Sequence, residues 1–410
     1  MALTVTIHRG QNEIGGNCIE IASGKTRILL DIGQPLSGET VKISKNLKTV
    51  DAVIISHPHM DHYGLMGQVP EQVPVYIGVT AAKLIEALYL FIDKKIPNRA
   101  FKSIEDKQII SISDLRITPY LVDHSAFDSF AFLIDGSDER IFYSGDLRMH
   151  GRKVATMDRL IKNPPSPIDT LIVEGTMLDR GKQKFQNERA VEDAMVEIMR
   201  SATSATFLIS SSQNLDRLVS AFRACKRTSR HFVIDIYTAW VLRQISSNPK
   251  TNSIPDISWD GIKVLSKGWT AARQYLKLKE NRDLFGSFIN EVYSKNVVIT
   301  QPKIEAEPER YLIKTSYAKS LIDQLNLRPC SVIYSMWEGY LNRNHNPSGW
   351  KQLALLKDDP QIDFQVIHTS GHAIIPDLKK IVSALKPNKV LPIHTEDGDR
   401  LLQILNIWQD

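Results

Sequence analysis

Short apolar runs, mostly β-branched or alternating, dominate the chain as far as about Gly175 and predict a strand-rich first region. Thr4–His8, Cys18–Ile21 and Arg27–Ile32 are such runs, separated by turns at Gly10 and Gly15-Gly16. Asp51–Ser56 stops abruptly at a group of histidines, and Val75–Ile77 is a further short strand. Arg116–Val122, Ser129–Ile134, Arg140–Ser144 and Thr170–Glu174 each read as a strand ending in a polar residue. Thr80–Phe91 differs: Leu84, Ile85 and Leu88 have helical spacing, with Thr80 placed as the N-cap.

The period then changes. Asn187–Met199 is an amphipathic helix, capped by Asn187 and acidic in its early turns, as the helix dipole favours. Thr206–Ser210 predicts a strand, Leu215–Cys225 a helix and His231–Tyr237 a strand, an alternation that implies a second α/β unit. Ser246–Asp283 is polar and rich in turn residues, so loops and short helices are expected there. Strand patterns return at Phe364–His368 and Val390–His394, followed by a helix near Asp399–Ile407.

At 410 residues, 42% hydrophobic and 24% charged, the chain has globular composition and room for more than one unit. The balance of 51 Lys+Arg against 46 Asp+Glu gives +5, which permits a polyanionic partner without demanding one. Three cysteines, Cys18, Cys225 and Cys330, form no CxxC pair, which argues against a disulfide framework or a thiolate zinc knuckle. No run approaches the roughly 18 apolar residues of a membrane span, and no signal-peptide pattern opens the chain. A cytoplasmic protein with no membrane partner is expected.

The strongest chemical signal is His57-Pro58-His59-Met60-Asp61-His62, just past a strand. Alternate side chains there point the same way, so His57 and His59 can share one cation. Asp61 and His62, past the bend, face a neighbouring position. Nitrogen and oxygen donors without thiolate suit Zn²⁺ or Mn²⁺; the competing reading is a polar surface loop. One loop cannot complete two metal shells. His124, Asp146 and His394 each follow a short apolar strand and offer the missing donors, although each alone could be a core or turn residue. Glu174 ends another strand and could orient a metal-bound imidazole, or be a carboxylate at a helix start. His368-Thr369-Ser370-Gly371-His372 combines imidazoles, hydroxyls and a flexible turn suited to a phosphate. Arg148, Arg152 and Lys153 could draw in a polyanion or form a solvated face. Seven of the 11 histidines lie in these segments; His8, His150, His231 and His345 are read as structural or surface residues.

HxHxDH, a lone His, Gly-Asp and a late His, in that order, resemble the metallo-β-lactamase fold superfamily. With Glu174, the segment around His372 and the His394 segment, the chain is similar along essentially its whole length to the β-CASP branch of nucleic-acid-processing nucleases. Ribonuclease J-type enzymes are the nearest likeness. The resemblance implies an α/β fold: an αββα sandwich over 1–185 and 366–410, interrupted by a β-CASP domain over 186–365. It implies His57, His59 and His124 on one metal, Asp61, His62 and His394 on the other, and Asp146 bridging. Asp61, His372 and Glu174 would be catalytic, with His372 at the scissile phosphate as general acid. His at the position of His394 accompanies RNA substrates in this branch, whereas DNA-acting members tend to carry Val. The expected function is therefore two-metal phosphodiester hydrolysis of single-stranded RNA by metal-activated hydroxide, endo- or exonucleolytic. A DNA nuclease, a hydrolase of small esters or phosphodiesters, and a non-catalytic nucleic-acid-binding protein are the alternatives, and a homodimer is left open. Two departures are visible. By this likeness the chain is expected to lack the further C-terminal domain of ribonuclease J-type chains. Asp216 stands where the helix-start segment Ser210–Arg217 often carries His. Ser211 and Ser212 in that segment could cradle a phosphate or form a plain N-cap.

Overall fold

The computed structural model describes residues 3–405 apart from 38, 40, 96–98, 182, 252 and 266–268. The chain divides into two compact units, one of Met1–Ile85, Ile96–Lys182 and Gly371–Asp410, the other of Glu86–Lys95 and Gln183–Ser370.

In the first unit β1 (Thr4–Arg9), β2 (Cys18–Ser23), β3 (Thr26–Leu30), β4 (Ala52–Ile54), β5 (Val75–Gly78) and β6 (Phe101–Ile104) form one sheet in that order. A second sheet contains β7 (Ile110–Ile112), β8 (Leu115–Leu121), β9 (Phe130–Gly136), β10 (Glu139–Tyr143) and β11 (Thr170–Glu174). The second unit supplies β12 (Thr206–Ile209), β13 (His231–Ile234), β14 (Ile262–Leu265), β15 (Val298–Ile299), β16 (Tyr311–Lys314), β17 (Cys330–Tyr334) and β18 (Ile362–Val366). The chain then returns to the first unit as β19 (Lys389–Ile393), which pairs parallel to β11 with Glu174 opposite Ile393.

Strand alternation explains the sandwich. Ile141, Tyr143 and Ile172 point inward to join Ile21, Ile28, Leu30 and Ile54 of the first sheet in one core. Their neighbours Phe142, Leu171 and Val173 point outward and pack with Met157, Leu160, Leu378, Ile381 and Leu401. Those residues belong to helices Val154–Lys162, Ile375–Leu385 and Gly398–Leu405.

The second unit is a seven-stranded parallel sheet in the order β15-β14-β13-β16-β12-β17-β18. Its inner strands β12, β16 and β17 are buried along their whole length, as a sheet covered on both faces requires, while the edge strand β18 alternates.

Several expectations change. Thr80 lies inside helix Val79–Phe91 and is not its cap; the first-turn amides of Thr80 and Ala81 donate instead to the Asp128 carboxylate, at 2.8 and 3.2 Å. The run from His231 is a strand only to Ile234, because Asp235 caps helix Ile236–Ser246 by accepting from the Thr238 amide. Ser246–Asp283 holds β14 and the helix Trp269–Glu280, not loops and short helices alone. Asn187 does cap its helix, accepting from the Ala190 amide at 2.9 Å. The final helix is described over Gly398–Leu405, and Asn406 and Ile407 lie outside the described residues. Among the described residues no helix is long and apolar enough to cross a membrane.

Candidate metal centre

The chemistry gathers at strand ends of the first unit. β4 runs out at Ile54, and the chain turns through Ser56–His59 into a single helical turn, Met60–Tyr63. That turn sits against Gly33: a Cβ there would lie 1.6 Å from the Asp61 carbonyl oxygen, so only glycine permits the approach. His124 follows β8, Asp146 follows β10, Glu174 ends β11 and His394 follows β19.

These side chains converge on one buried spot. His57 Nε2 and His124 Nε2 lie 3.1 and 3.2 Å from His59 Nδ1. Asp146 Oδ2 lies 3.6 Å from His57 Nε2, 3.2 Å from His62 Nε2 and 3.9 Å from His394 Nε2. Asp61 Oδ2 is 3.2 Å from His394 Nε2. Two donor groups result, His57/His59/His124/Asp146 and Asp61/His62/His394, and a third contains Asp146, Glu174, His372 and His394.

Four of the rings are held from behind. His62 Nδ1 donates to Asp31 Oδ2 at 2.7 Å, and His124 Nδ1 to the Gly371 carbonyl at 2.6 Å. His57 Nδ1 donates to Ser56 Oγ at 3.0 Å, since that hydroxyl spends its own proton on Asp31. His394 Nδ1 donates to Thr176 Oγ1 at 2.7 Å. With Nδ1 engaged in all four, Nε2 is the ring atom left to face the centre.

The donor set fits divalent cations. Tetrahedral donors at a zinc–nitrogen distance are roughly 3.3–3.4 Å apart, close to the 3.1–3.2 Å separations of the imidazole nitrogens. His62 Nε2 and Asp146 Oδ1 are buried without a hydrogen bond among the described residues, which is costly unless something else pairs them.

Electrostatics divide the rings, three kept neutral by burial and two drawn toward protonation by carboxylates. Burial pushes the His57 and His124 imidazoles well below their ordinary value and His59 down to about 4, leaving them neutral. Burial also opposes protonation of His62, but Asp146, Asp31 and Asp61 outweigh it and hold its pKa well above the ordinary value. Burial would raise the Asp146 carboxyl, yet His394, His62 and His372 keep it well below the carboxylate range.

His372 stands at the rim, its Nδ1 3.2 Å from Glu174 Oε2. Glu174 also accepts from the amides of Leu147, Thr176 and Ala373 at 3.2–3.3 Å, so one buried carboxylate pins two strand ends and the entry to the helix Ile375–Leu385. His368, Ser370, Ser211 and Ser212 belong to the second unit. There His368 Nδ1 is 3.4 Å from Arg217, Ser211 is exposed, and Ser212 Oγ is engaged by Lys314 and by Thr238 Oγ1.

Two expectations fail here. Arg148 is neither solvated nor open to a polyanion; it is fully buried against Asp123. Lys153 donates to the carbonyls of His124 and Ala126, at 2.7 and 2.9 Å, and so braces the His124 loop.

Asp31, Ser56 and Thr176 escaped the sequence reading. Asp31 was hidden inside the strand expected over Arg27–Ile32. That strand ends at Leu30, and Asp31 turns with a φ of 61°. Read as a polar residue directly after a strand, it would have been found.

Comparison with known proteins agrees with this geometry. Residues 26–206 match the beta-lactamase superfamily domain, and residues 362–400 match the Zn-dependent metallo-hydrolase RNA specificity domain. Probable RNase MJ4 of Methanocaldococcus jannaschii is 28% identical over 208 residues, 45% of this chain and 47% of that one. Ribonuclease J of Helicobacter pylori is 20% identical over 415 residues, 96% of this chain and 56% of that one. Transcription termination factor FttA of Methanothermobacter thermautotrophicus is 23% identical over 451 residues, 96% and 67% respectively. The chain spans about half the length of the first two of these curated relatives. A crystal structure of a protein of unknown function from Enterococcus faecalis V583 has the same fold, with a TM-score of 0.76 at 20% identity over 97% of this chain and 95% of that one. The chain belongs to the metallo-β-lactamase superfamily of metallo-hydrolases. Its distant relatives include ribonuclease J and FttA, and its second α/β unit is a β-CASP-like insertion.

Proposed function

We propose that this chain is a two-metal phosphodiester hydrolase acting on RNA. The observation that carries the reading is the pair of donor groups meeting at Asp146 Oδ2, with the His372–Glu174 pair beside them. In this reading His57, His59 and His124 hold one divalent cation and Asp61, His62 and His394 hold the other. Asp146 bridges them, and the donor chemistry favours Zn²⁺, with Mn²⁺ second. Cations bound there would polarise a phosphoryl oxygen and acidify an attacking water. Asp61, whose side chain is 14% exposed, would be the carboxylate that receives the proton of that water. Glu174 fixes His372 through Nδ1, which directs Nε2 outward to protonate the leaving 3′ oxygen as the P–O bond breaks. His368, Ser370 and Ser211 are the candidates for contacts to the phosphate backbone. Ser212 is the weakest of that group, because its hydroxyl is already occupied. The boundaries 1–185, 186–365 and 366–410 belong to the same reading.

RNA is favoured over DNA by the RNA specificity domain match, which covers His368–His372 and His394, and by the names of the ribonuclease relatives. The test is digestion of 5′- and 3′-labelled RNA with Zn²⁺ or Mn²⁺, beside single-stranded DNA and a chromogenic phosphodiester. Cleavage of RNA, abolished in His59→Ala and Asp61→Ala with the fold retained, is expected, and the label retained by the first products reveals endo or exo mode. Metal-loaded protein that leaves varied RNAs intact would end the proposal.

A further inference from the structure

We propose that the loop after β17, Trp337–Asn346, is a nucleobase-stacking site by which the second unit grips single-stranded RNA, with Trp337 as the platform. This rests on the RNA reading above.

β17 is wholly buried to Tyr334, but the chain leaving it changes character at once. Trp337 and Tyr340 are half-buried, and His345 is exposed. Their rings are grouped: Tyr340 lies 5.2 Å from the Trp337 ring at an interplanar angle of 83°, and His345 lies 4.8 Å away at 64°. Both rings therefore stand steeply to the indole plane. Neither lies flat upon it in the parallel stack that a nucleobase would adopt. A Cβ on Gly339 would fall 2.4 Å from the indole, so bare backbone supports the ring where no side chain fits. Together these contacts fix the plane of a large aromatic surface at the edge of the molecule, and little ordering entropy is left to lose on binding.

The surrounding loop is polar. Asn342, Arg343, Asn344 and Asn346 alternate around His345. Arg343 and Asn344 are exposed, and among the described residues neither side chain has a hydrogen bond or ion pair. A packed core would not put its aromatic cluster beside an unpaired guanidinium. A site for stacked bases linked by phosphates would, with Arg for the backbone and amides for base edges.

Position supports the same occupant. β12 lies in the middle of the sheet, and the chain runs from it to β13 on one side and later to β17 on the other. Crevices outside the carboxyl ends of strands at such a reversal are where open parallel sheets take ligands, and Trp337 follows the carboxyl end of β17.

The test measures binding of a short labelled oligouridylate, made uncleavable by phosphorothioate linkages, to the full metal-loaded chain. An abasic oligomer with the same backbone serves as the second probe. Wild-type protein is expected to prefer the base-bearing oligomer about tenfold or more. Trp337→Ala should lose that preference while binding the abasic oligomer as before, and Trp337→Phe should keep most of it. Unchanged affinity in Trp337→Ala overturns the site. So does an equal loss for both oligomers, which marks a merely structural role. If wild-type protein neither binds nor cleaves RNA, the RNA reading falls and takes this one with it. If it cleaves RNA and Trp337→Ala binds normally, only the stacking site falls.

Discussion

Asp31 sits behind the metal centre and does for His62 what no residue of the histidine motif can do. Its Oδ2 accepts from His62 Nδ1 at 2.7 Å and from the Tyr143 hydroxyl at 2.5 Å, and its Oδ1 accepts from the Ser56 amide at 2.7 Å. Asp31→Asn keeps the shape but loses the charge that favours a basic Nε2. Metal affinity is expected to fall about 10–100-fold, with the secondary structure unchanged. Competition against a chromophoric chelator measures it, and an affinity within twofold of wild type would show that the contact is incidental. Thr176→Val should act in the same direction through His394, which is held at a φ of 51°. At this scale the sequence was legible where donors cluster or follow a recognisable strand, as in His57–His62, His124, Asp146 and His394. It was silent on Ser56 and Thr176, because a hydroxyl that serves a neighbouring ring carries no pattern of its own. Arg148 was misread because charge alone does not reveal that Asp123 waits to bury it.

Between elements, buried polar hubs join segments that the apolar pattern leaves separate. Arg217 is the clearest: fully buried, it donates to Glu188 at 3.2–3.3 Å, to the Ser335 carbonyl at 2.8 Å and to the Thr369 carbonyl at 3.2 Å. It thereby ties two helices to the ends of β17 and β18. Arg217→Met strands the Glu188 carboxylate and should cost roughly 3–5 kcal/mol of unfolding free energy. Adding Glu188→Leu should recover a good part of that. Urea unfolding of both variants decides the matter, and a loss below about 1 kcal/mol in the single variant would contradict a hub role. Strands such as β2, β4 and β11 were readable because each is a compact, mostly buried run carrying β-branched residues. The helix Trp269–Glu280 was not: its inward face of Ala271, Tyr275 and Leu278 is interrupted by Gln274, and Leu276 off that face is 54% exposed, which blurs the period. β14, with four residues beside that helix, offered too short a run to stand out.

For the first unit as a whole, the proposed metal centre would act as a clamp between its two sheets. His57–His62 follow a strand of one sheet, while His124, Asp146 and His394 follow strands of the other. Cations held between them would bind the native arrangement and not the open chain, and so would stabilise it by mass action. At a free metal concentration a thousandfold above Kd this amounts to about 4 kcal/mol per site. Chelation should therefore lower the first melting transition by several degrees, and restoring Zn²⁺ should raise it again. Stoichiometry separates the two halves of the clamp. Elemental analysis after dialysis should find about two metals per wild-type chain. His59→Ala should retain the cation held by Asp61, His62 and His394. Asp146→Ala, which removes the carboxylate proposed to bridge the two cations, should lose most of both. Equal metal content in these two variants would refute a shared Asp146, and a melting curve indifferent to chelator would refute the clamp.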